Sequence, residues 1–217
     1  MDLSGDAKTL WNAAVALARA TRPVSPSGSP ARDLPPMLFF TDPVRTPEPW
    51  RTAAALPEGA AVVYRSFGAP NAVAVGRRLR AVTADRGVRL LVGLDADLAE
   101  RIEADGVHLP ERAADQATAL RARRPDWLLT AARHAVGGPA PEGLNALVLS
   151  PIFPAGGASS VKPALGIEAI EATVQSSGLP VYALGGVGLE TVSRLAGSGA
   201  CGFAGVEAIE RAFAVGA

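Results

Sequence analysis

The stretch YALGGVG (residues 182–188) runs from β-favouring residues into paired glycines, and it decides how the rest of the chain is interpreted. A second short apolar piece, CGFAGV (residues 201–206), leads in the same way into Glu207. Strand ends that carry glycine and open onto helices often cradle a phosphate, because glycine allows close approach of the backbone amides. The pattern predicts a phosphate site built from Gly185, Gly186, Gly205, Val206 and Glu207.

Working outward from this stretch, similar apolar runs of about five residues recur along the chain, separated by helix-like segments and by glycine or proline. Because the runs are apolar throughout rather than alternating, they predict parallel strands covered by helices on both faces. Their number favours an α/β fold of the (β/α)8 TIM-barrel type, with a doubly wound open sheet as the rival. The eight predicted strands are residues 37–41, 61–65, 89–93, 106–109, 127–131, 146–151, 181–185 and 202–206. The helices predicted between and after them are residues 50–55, 71–85, 97–103, 112–123, 166–176, 189–197 and 207–214.

An extra segment precedes the barrel. Apolar residues at helical spacing predict an amphipathic helix over residues 7–20, which would dock on the barrel or on a second subunit. A stretch rich in proline and serine follows and is typical of a linker. We therefore predict an N-terminal helix and linker over residues 1–36, and a barrel domain over residues 37–217.

Composition restricts the classes of partner. The chain has 21 basic and 21 acidic residues, so no net charge attracts nucleic acid or an acidic membrane surface. Its one cysteine, Cys201, excludes an internal disulfide. We find no secretory signal and no apolar stretch long enough to span a bilayer, and we expect a cytoplasmic protein.

Barrel enzymes place their functional residues at the carboxyl ends of the strands. His134 follows the fifth strand and is either an acid/base group or an ordinary loop residue. His108 lies within an apolar run, which favours a core histidine. Arg65 ends the second strand and would bind an anion or pair with Asp42 or Asp95. The other polar candidates at strand ends are Thr41, Asp42, Ser66, Asp95, Arg133 and Ser150.

Two further features bear on metal binding and on a loop that could cover a substrate. Asp42 and Asp95 come from distant strands and are weak candidates for magnesium, so we expect no metal site, and Asp97 is expected to cap the helix after the third strand. The loop at residues 151–166 is long for its place and carries Ser160 and Lys162. It would either close over a substrate or form a surface excursion.

Five motifs, in order and at compatible spacing, resemble the thiamine-phosphate synthase/TenI family. They are FFTDP (39–43), ADGVHL (104–109), SPIFP (150–154), LPVYALGGV (179–187) and GACGFAGVEAI (199–209). The resemblance implies a (β/α)8 barrel. It also implies one of two activities: synthases join hydroxymethylpyrimidine diphosphate to thiazole phosphate with magnesium, and TenI members tautomerise thiazole phosphate with a histidine.

When this sequence is matched to the family residue by residue, Arg65 stands at the position of the synthase arginine. His134 stands at the position of the histidine that TenI members use. The synthase's metal-binding positions fall on Gly93 with Leu94 and near Ala113, so its metal carboxylates are missing. Glu207 replaces a serine of the phosphate turn and predicts weakened phosphate binding.

We therefore expect a TenI-like enzyme, with His134 and Arg65 as catalytic residues, acting on a phosphorylated heterocycle without a cofactor. Thr41, Asp42, Ser150, Ser160, Lys162 and the glycine turns would contact this substrate. A synthase that uses magnesium, or an inactive ligand- or partner-binding barrel, are the alternatives, and a homodimer is possible.

Overall fold

The computed structural model of the protein describes residues 3–21, 34–154 and 163–214. Strands and helices alternate after an additional N-terminal helix. The strands are β1 (Met37–Phe40), β2 (Ala61–Tyr64), β3 (Arg89–Gly93), β4 (Gly106–Leu109), β5 (Leu128–Arg133), β6 (Ala146–Leu149), β7 (Val181–Ala183) and β8 (Gly202–Gly205). The helices are α1 (Gly5–Ala20), α2 (Pro49–Ala55), α3 (Ala72–Asp85), α4 (Ala96–Arg101), α5 (Gln116–Arg123), α6 (Glu168–Ser177) and α7 (Glu207–Phe213).

The eight strands form a closed parallel barrel in sequence order. Closure comes from β1 pairing with β8, with Leu38 opposite Ala204. The predicted TIM barrel is confirmed, and the doubly wound sheet is excluded because an open sheet would leave β1 and β8 unpaired. All strands point the same way, so all eight carboxyl ends meet at one rim.

Side chains of alternate strand residues fill the barrel interior. This inner cluster includes Leu38, Phe40, Val63, Tyr182 and Ala204, all buried. The intervening residues pack outward against the helices in a second, larger cluster. Because the interior is packed as in other barrels of this type, a ligand has to bind at the rim rather than inside the barrel.

Helix α1 docks on the barrel of its own chain. The hydroxyl of Ser4 accepts a hydrogen bond from the backbone N–H of Ala7 and so caps the helix, and it donates to the carbonyl of Ala212 in α7. At the other end Thr21 donates to the carbonyl of Ala200 before β8. The buried face of α1 carries Leu10 and Leu17. No helix in the described ranges is long and apolar enough to cross a membrane.

Two predicted helices differ from the structure. The segment predicted at residues 189–197 forms only a 3₁₀ turn, Val192–Leu195. The hydroxyl of Thr191 accepts from the N–H of Gly188 and donates to the carbonyl of Gly186, which ties the chain back to the turn after β7. The segment predicted at residues 112–123 divides into a 3₁₀ turn, Glu111–Ala113, and α5.

Candidate active site at the barrel rim

Arg65 extends from the end of β2 across the rim. Its Nε donates to the carbonyl of Thr41 at 2.7 Å, and its own backbone N–H donates to the Thr41 hydroxyl at 3.0 Å. The guanidinium lies between the rings of Phe40 and Phe67, 5.5 and 5.4 Å from their centroids. These contacts fix the guanidinium at the rim, against the ends of β1 and β2.

Arg65 retains capacity to bind an anion. Its Nη2 lies 3.6 Å from Asp42 Oδ2, beyond hydrogen-bond distance, and makes no hydrogen bond within the described ranges. Burial lowers the pKa of Arg65 and the charge of Asp42 opposes that change. Since an arginine pKa lies far above neutral, the guanidinium stays charged. The predicted pairing with Asp42 is present. Nη2 itself is buried, so a ligand can reach Arg65 only through the exposed part of its side chain, which is 24% exposed.

Asp42 organises two arginines. One carboxylate oxygen accepts from the backbone N–H groups of Val44 and Arg45, and the other lies 2.9 Å from Arg45 Nη2. Burial alone would raise the pKa of Asp42, but the bonds to Arg45 and Val44 lower it to about 2. With both oxygens bonded, Asp42 positions Arg45 and Arg65. Direct contact of Asp42 with a substrate stays a prediction.

His134 directly follows β5, and its imidazole is paired. Its Nδ1 lies 2.8 Å from Glu111 Oε2, and its backbone N–H donates to Glu111 Oε1 at 3.4 Å. Glu111 begins the 3₁₀ turn after β4, the strand next to β5. Sequence reasoning missed Glu111. The order of strands could have indicated it, because residues just beyond neighbouring parallel strands meet at the same rim.

His108 belongs to the core, as its apolar setting predicts. Its Nδ1 lies 2.9 Å from the Thr130 hydroxyl, and its ring meets Phe40 edge-on. Burial, together with the nearby positive charges of Arg65 and His134, lowers the pKa of His108 to about 3. His108 is therefore neutral at physiological pH. Arg65 and His134 follow β2 and β5, so both lie at the carboxyl-end rim of the barrel.

Gly185 and Gly186 form a tight turn after β7, with φ of 92° and 65°. A Cβ on Gly185 would lie 2.8 Å from Pro151 Cα, and one on Gly186 would collide with the carbonyl of Pro154. The loop after β6 therefore packs directly on this turn, and only glycine permits that contact. This packing requires both glycines even without a ligand, so phosphate binding there stays a prediction.

Glu207 begins α7 beside the glycine turn, where a Cβ on Gly188 would lie 3.5 Å from Ala208 Cβ. Its side chain is 43% exposed. Oε1 lies 3.7 Å from Arg45 Nη1, and Oε2 lies 3.2 Å from Arg211 Nη2. A chain of alternating charges therefore runs along the rim from Arg65 through Asp42, Arg45 and Glu207 to Arg211.

The remaining predicted residues are less informative. Thr41 and Ser150 are buried at the ends of β1 and β6. Gly205 is buried in β8, and Val206 precedes α7 half-buried. Ser160 and Lys162 lie outside the described residues, as does most of the predicted linker.

Asp95, not Asp97, caps the helix after β3. The carboxylate of Asp95 accepts from the N–H of Leu98 at 2.8 Å. Asp97 is 88% exposed and pairs with Arg123 at 3.5 Å, so the prediction that it caps α4 was wrong. The helix begins at Ala96, which makes Asp95 its N-cap. A carboxylate used as a cap is poorly placed to hold magnesium, and the described ranges contain no cluster of three metal-binding side chains.

Relatives of the chain share this barrel. The solved structure of thiamine phosphate pyrophosphorylase from Pyrococcus furiosus superposes with a TM-score of 0.68 at 22% identity, covering 84% of this chain and 93% of that one. At this identity the likeness shows the fold alone.

Sequence comparisons identify the family. A thiamine-phosphate synthase of Myxococcus xanthus is 35% identical over 117 residues, 52% of this chain and 54% of that protein. One of Methanoculleus marisnigri is 31% identical over 134 residues, 60% of this chain and 64% of that protein. Both matches span less than two thirds of the relative. The thiamine monophosphate synthase model, TMP-TENI, matches residues 40–209. Since that model spans most of the barrel, the chain belongs to the thiamine monophosphate synthase (TMP-TENI) family.

Proposed function

We propose that this protein catalyses a metal-free proton transfer on thiazole phosphate or a related heterocycle, with His134 as the acid/base group. The observation that carries the proposal is the contact between His134 and Glu111. A histidine that gives one ring nitrogen to a carboxylate has a fixed orientation and keeps its other nitrogen for the substrate.

The chemistry requires one group that removes a proton and returns it. With its Nδ1 held by Glu111, the imidazole would use Nε2 to take a proton from one ring position of the heterocycle. The same nitrogen would then deliver the proton to another position, which interconverts two tautomers. The histidine ends in its starting state, so no redox partner or second substrate is needed.

Arg65 supplies the positive charge that an anionic substrate requires. Its guanidinium is fixed by Thr41 and Asp42, and 24% of its side chain is exposed at the rim. Guanidinium groups bind phosphate and carboxylate through parallel hydrogen bonds. In this arrangement Arg65 would hold the ligand while His134 acts on its ring.

A thiamine-phosphate synthase is the second candidate, favoured by the names of the curated relatives. That reaction uses magnesium to offset the charge of a diphosphate. The residues at the rim fit the ion poorly, because Asp42 is bonded to arginine and backbone groups and Asp95 caps α4. A catalytically inactive barrel that binds a ligand without turnover is the third candidate.

One experiment separates the three. The protein is incubated with thiazole phosphate alone, and with both synthase precursors, each with magnesium and with a chelator. Tautomer exchange that survives the chelator supports the proposed function. Magnesium-dependent formation of thiamine phosphate would establish the synthase instead. Binding detected by calorimetry without either reaction would establish the catalytically inactive barrel.

A further inference from the structure

Two turns at the rim hold large apolar residues in a backbone conformation that such residues rarely adopt. After β2, the N–H of Ala69 donates to the carbonyl of Ser66 at 2.9 Å, and Phe67 at the centre of this turn has φ of 47°. After β3, the N–H of Asp95 donates to the carbonyl of Gly93 at 2.8 Å across Leu94, which has φ of 65°. We call Phe67 and Leu94 the rim pair.

Both conformations carry a cost that other residues would avoid. Turns with positive φ at the first central position are dominated by Gly, Asn and Asp, and three-residue turns with positive φ are rare and strained. Phe67 gains little from burial, since it is 70% exposed, and Leu94 is 41% exposed. Strained positions that the fold does not need cluster at ligand-binding sites.

The rim pair lies beside Arg65. Strands β2 and β3 are neighbours, with Tyr64 opposite Val92, so the two turns follow at the same edge. The guanidinium of Arg65 stacks on Phe67, and the N–H of Leu94 donates to the carbonyl of His108. Phe67 and Leu94 therefore lie at the same edge of the barrel, with Phe67 in contact with Arg65.

We propose that the rim pair binds the planar, uncharged heteroaromatic ring of a small-molecule ligand. Aromatic and aliphatic side chains grip such rings by stacking and apolar contact, and Phe67 keeps most of its surface open. The turns offer no lysine, and their nearest carboxylate, Asp95, caps α4. Arg65 is the charged group in contact with the rim pair, with its guanidinium 5.4 Å from the Phe67 ring centroid, so the turns themselves supply an apolar surface. The inference rests on the proposed function only for the choice of heterocycle.

The test uses Phe67→Gly and Leu94→Gly with a ring that carries no phosphate. Glycine adopts positive φ freely, so each variant is expected to melt at the same or a higher temperature than wild type. Calorimetry with the unphosphorylated hydroxyethyl thiazole, and with the hydroxymethyl pyrimidine, should show binding to wild type that weakens about tenfold or more in each variant. Leu189→Gly is the matched control, because Leu189 is similarly exposed and is not a positive-φ residue.

Four results would overturn the inference. The first is unchanged ring binding in Phe67→Gly and Leu94→Gly, and the second is no binding of either ring to wild type at millimolar concentration. The third is a clear loss of thermal stability in the glycine variants, which would show that the side chains serve the fold. The fourth is a wild-type dimer that Phe67→Gly dissociates without a change in ring binding. None of these readouts depends on His134 or on turnover, so the proposed function can fail separately.

Discussion

The imidazole Nδ1 of His134 lies 2.8 Å from Oε2 of Glu111, and the second carboxylate oxygen accepts the backbone N–H of the same histidine. The two residues follow neighbouring strands, β5 and β4. A single carboxylate thus fixes both the main chain and the ring of His134. An orienting carboxylate of this kind selects which nitrogen faces a substrate.

Removing Glu111 should affect catalysis more than binding. In Glu111→Ala the imidazole loses its orientation, and we expect kcat for the proposed proton transfer to fall about 10- to 100-fold with little change in KM. Glu142→Ala is the control, since Glu142 lies in the exposed loop after β5. The ¹⁵N spectrum of His134 supplies a separate readout, because the variant should lose the single tautomer that Glu111 imposes. An unchanged kcat would contradict the role of Glu111 in orienting His134 for catalysis.

Thr130 should matter for stability. Replacing it with valine leaves the buried Nδ1 of His108 without its hydrogen-bond partner, which costs about 1 to 3 kcal/mol in the free energy of unfolding. Thr173→Val is the control, since the Thr173 hydroxyl is equally buried but only supplements the bonding of its own helix. Denaturant titration measures both. Equal losses for the two variants would contradict a special role of the Thr130 hydroxyl.

His108 should make the protein acid-sensitive. Burial, Arg65 and His134 lower the pKa of His108 in the folded state to about 3, below its ordinary value of 6.5. The unfolded chain binds the proton first, so this contribution to stability is complete above about pH 6.5 and is lost as the pH falls towards 3. Asp42, with its pKa lowered from 3.8 to about 2, acts in the same direction at lower pH. His108→Gln should flatten the upper part of the stability profile, and an unaltered slope between pH 6 and about 4.5 would contradict this.

Glu207 should weaken anion binding near the glycine turn. Its carboxylate pairs with Arg45 and Arg211, the two arginines that a phosphate at this place would use. Glu207→Ser releases both, and we expect affinity for inorganic phosphate to rise about tenfold, as expected for removing a like charge at close range. Glu210→Ser on the same helix is the control. The NMR shifts of Gly185 and Gly186 during a phosphate titration report the site, and equal affinity in wild type and Glu207→Ser would refute the prediction.

The barrel could be predicted from the sequence because each strand is marked by a pattern of neighbouring residues. Each strand is a short apolar run ended by glycine, proline or a polar residue, as at β1 and β6. Such runs can be recognised without knowing the rest of the fold. The rim positions of Arg65 and His134 were also predicted, since both residues directly follow strands and parallel strands align at one rim.

The residues that sequence reasoning missed depend on tertiary contacts or on where a helix begins. Glu111 and Arg45 lie in turns, and their roles come from partners on other segments, His134 and Glu207. Asp97 was mistaken for the cap of α4, which is Asp95, because the start of the helix had to be known to within one residue. The strain at Phe67 and Leu94 is a property of the backbone and has no signature in composition.

The most direct test of the account is turnover of thiazole phosphate by wild type and by His134→Ala, with magnesium removed by a chelator. Tautomer exchange can be followed by loss of the exchangeable ring proton in NMR, after circular dichroism has shown that the variant is folded. A general acid/base contributes about 10²- to 10⁴-fold to rate, so the account predicts a loss within that range. Equal rates for the two proteins would contradict it.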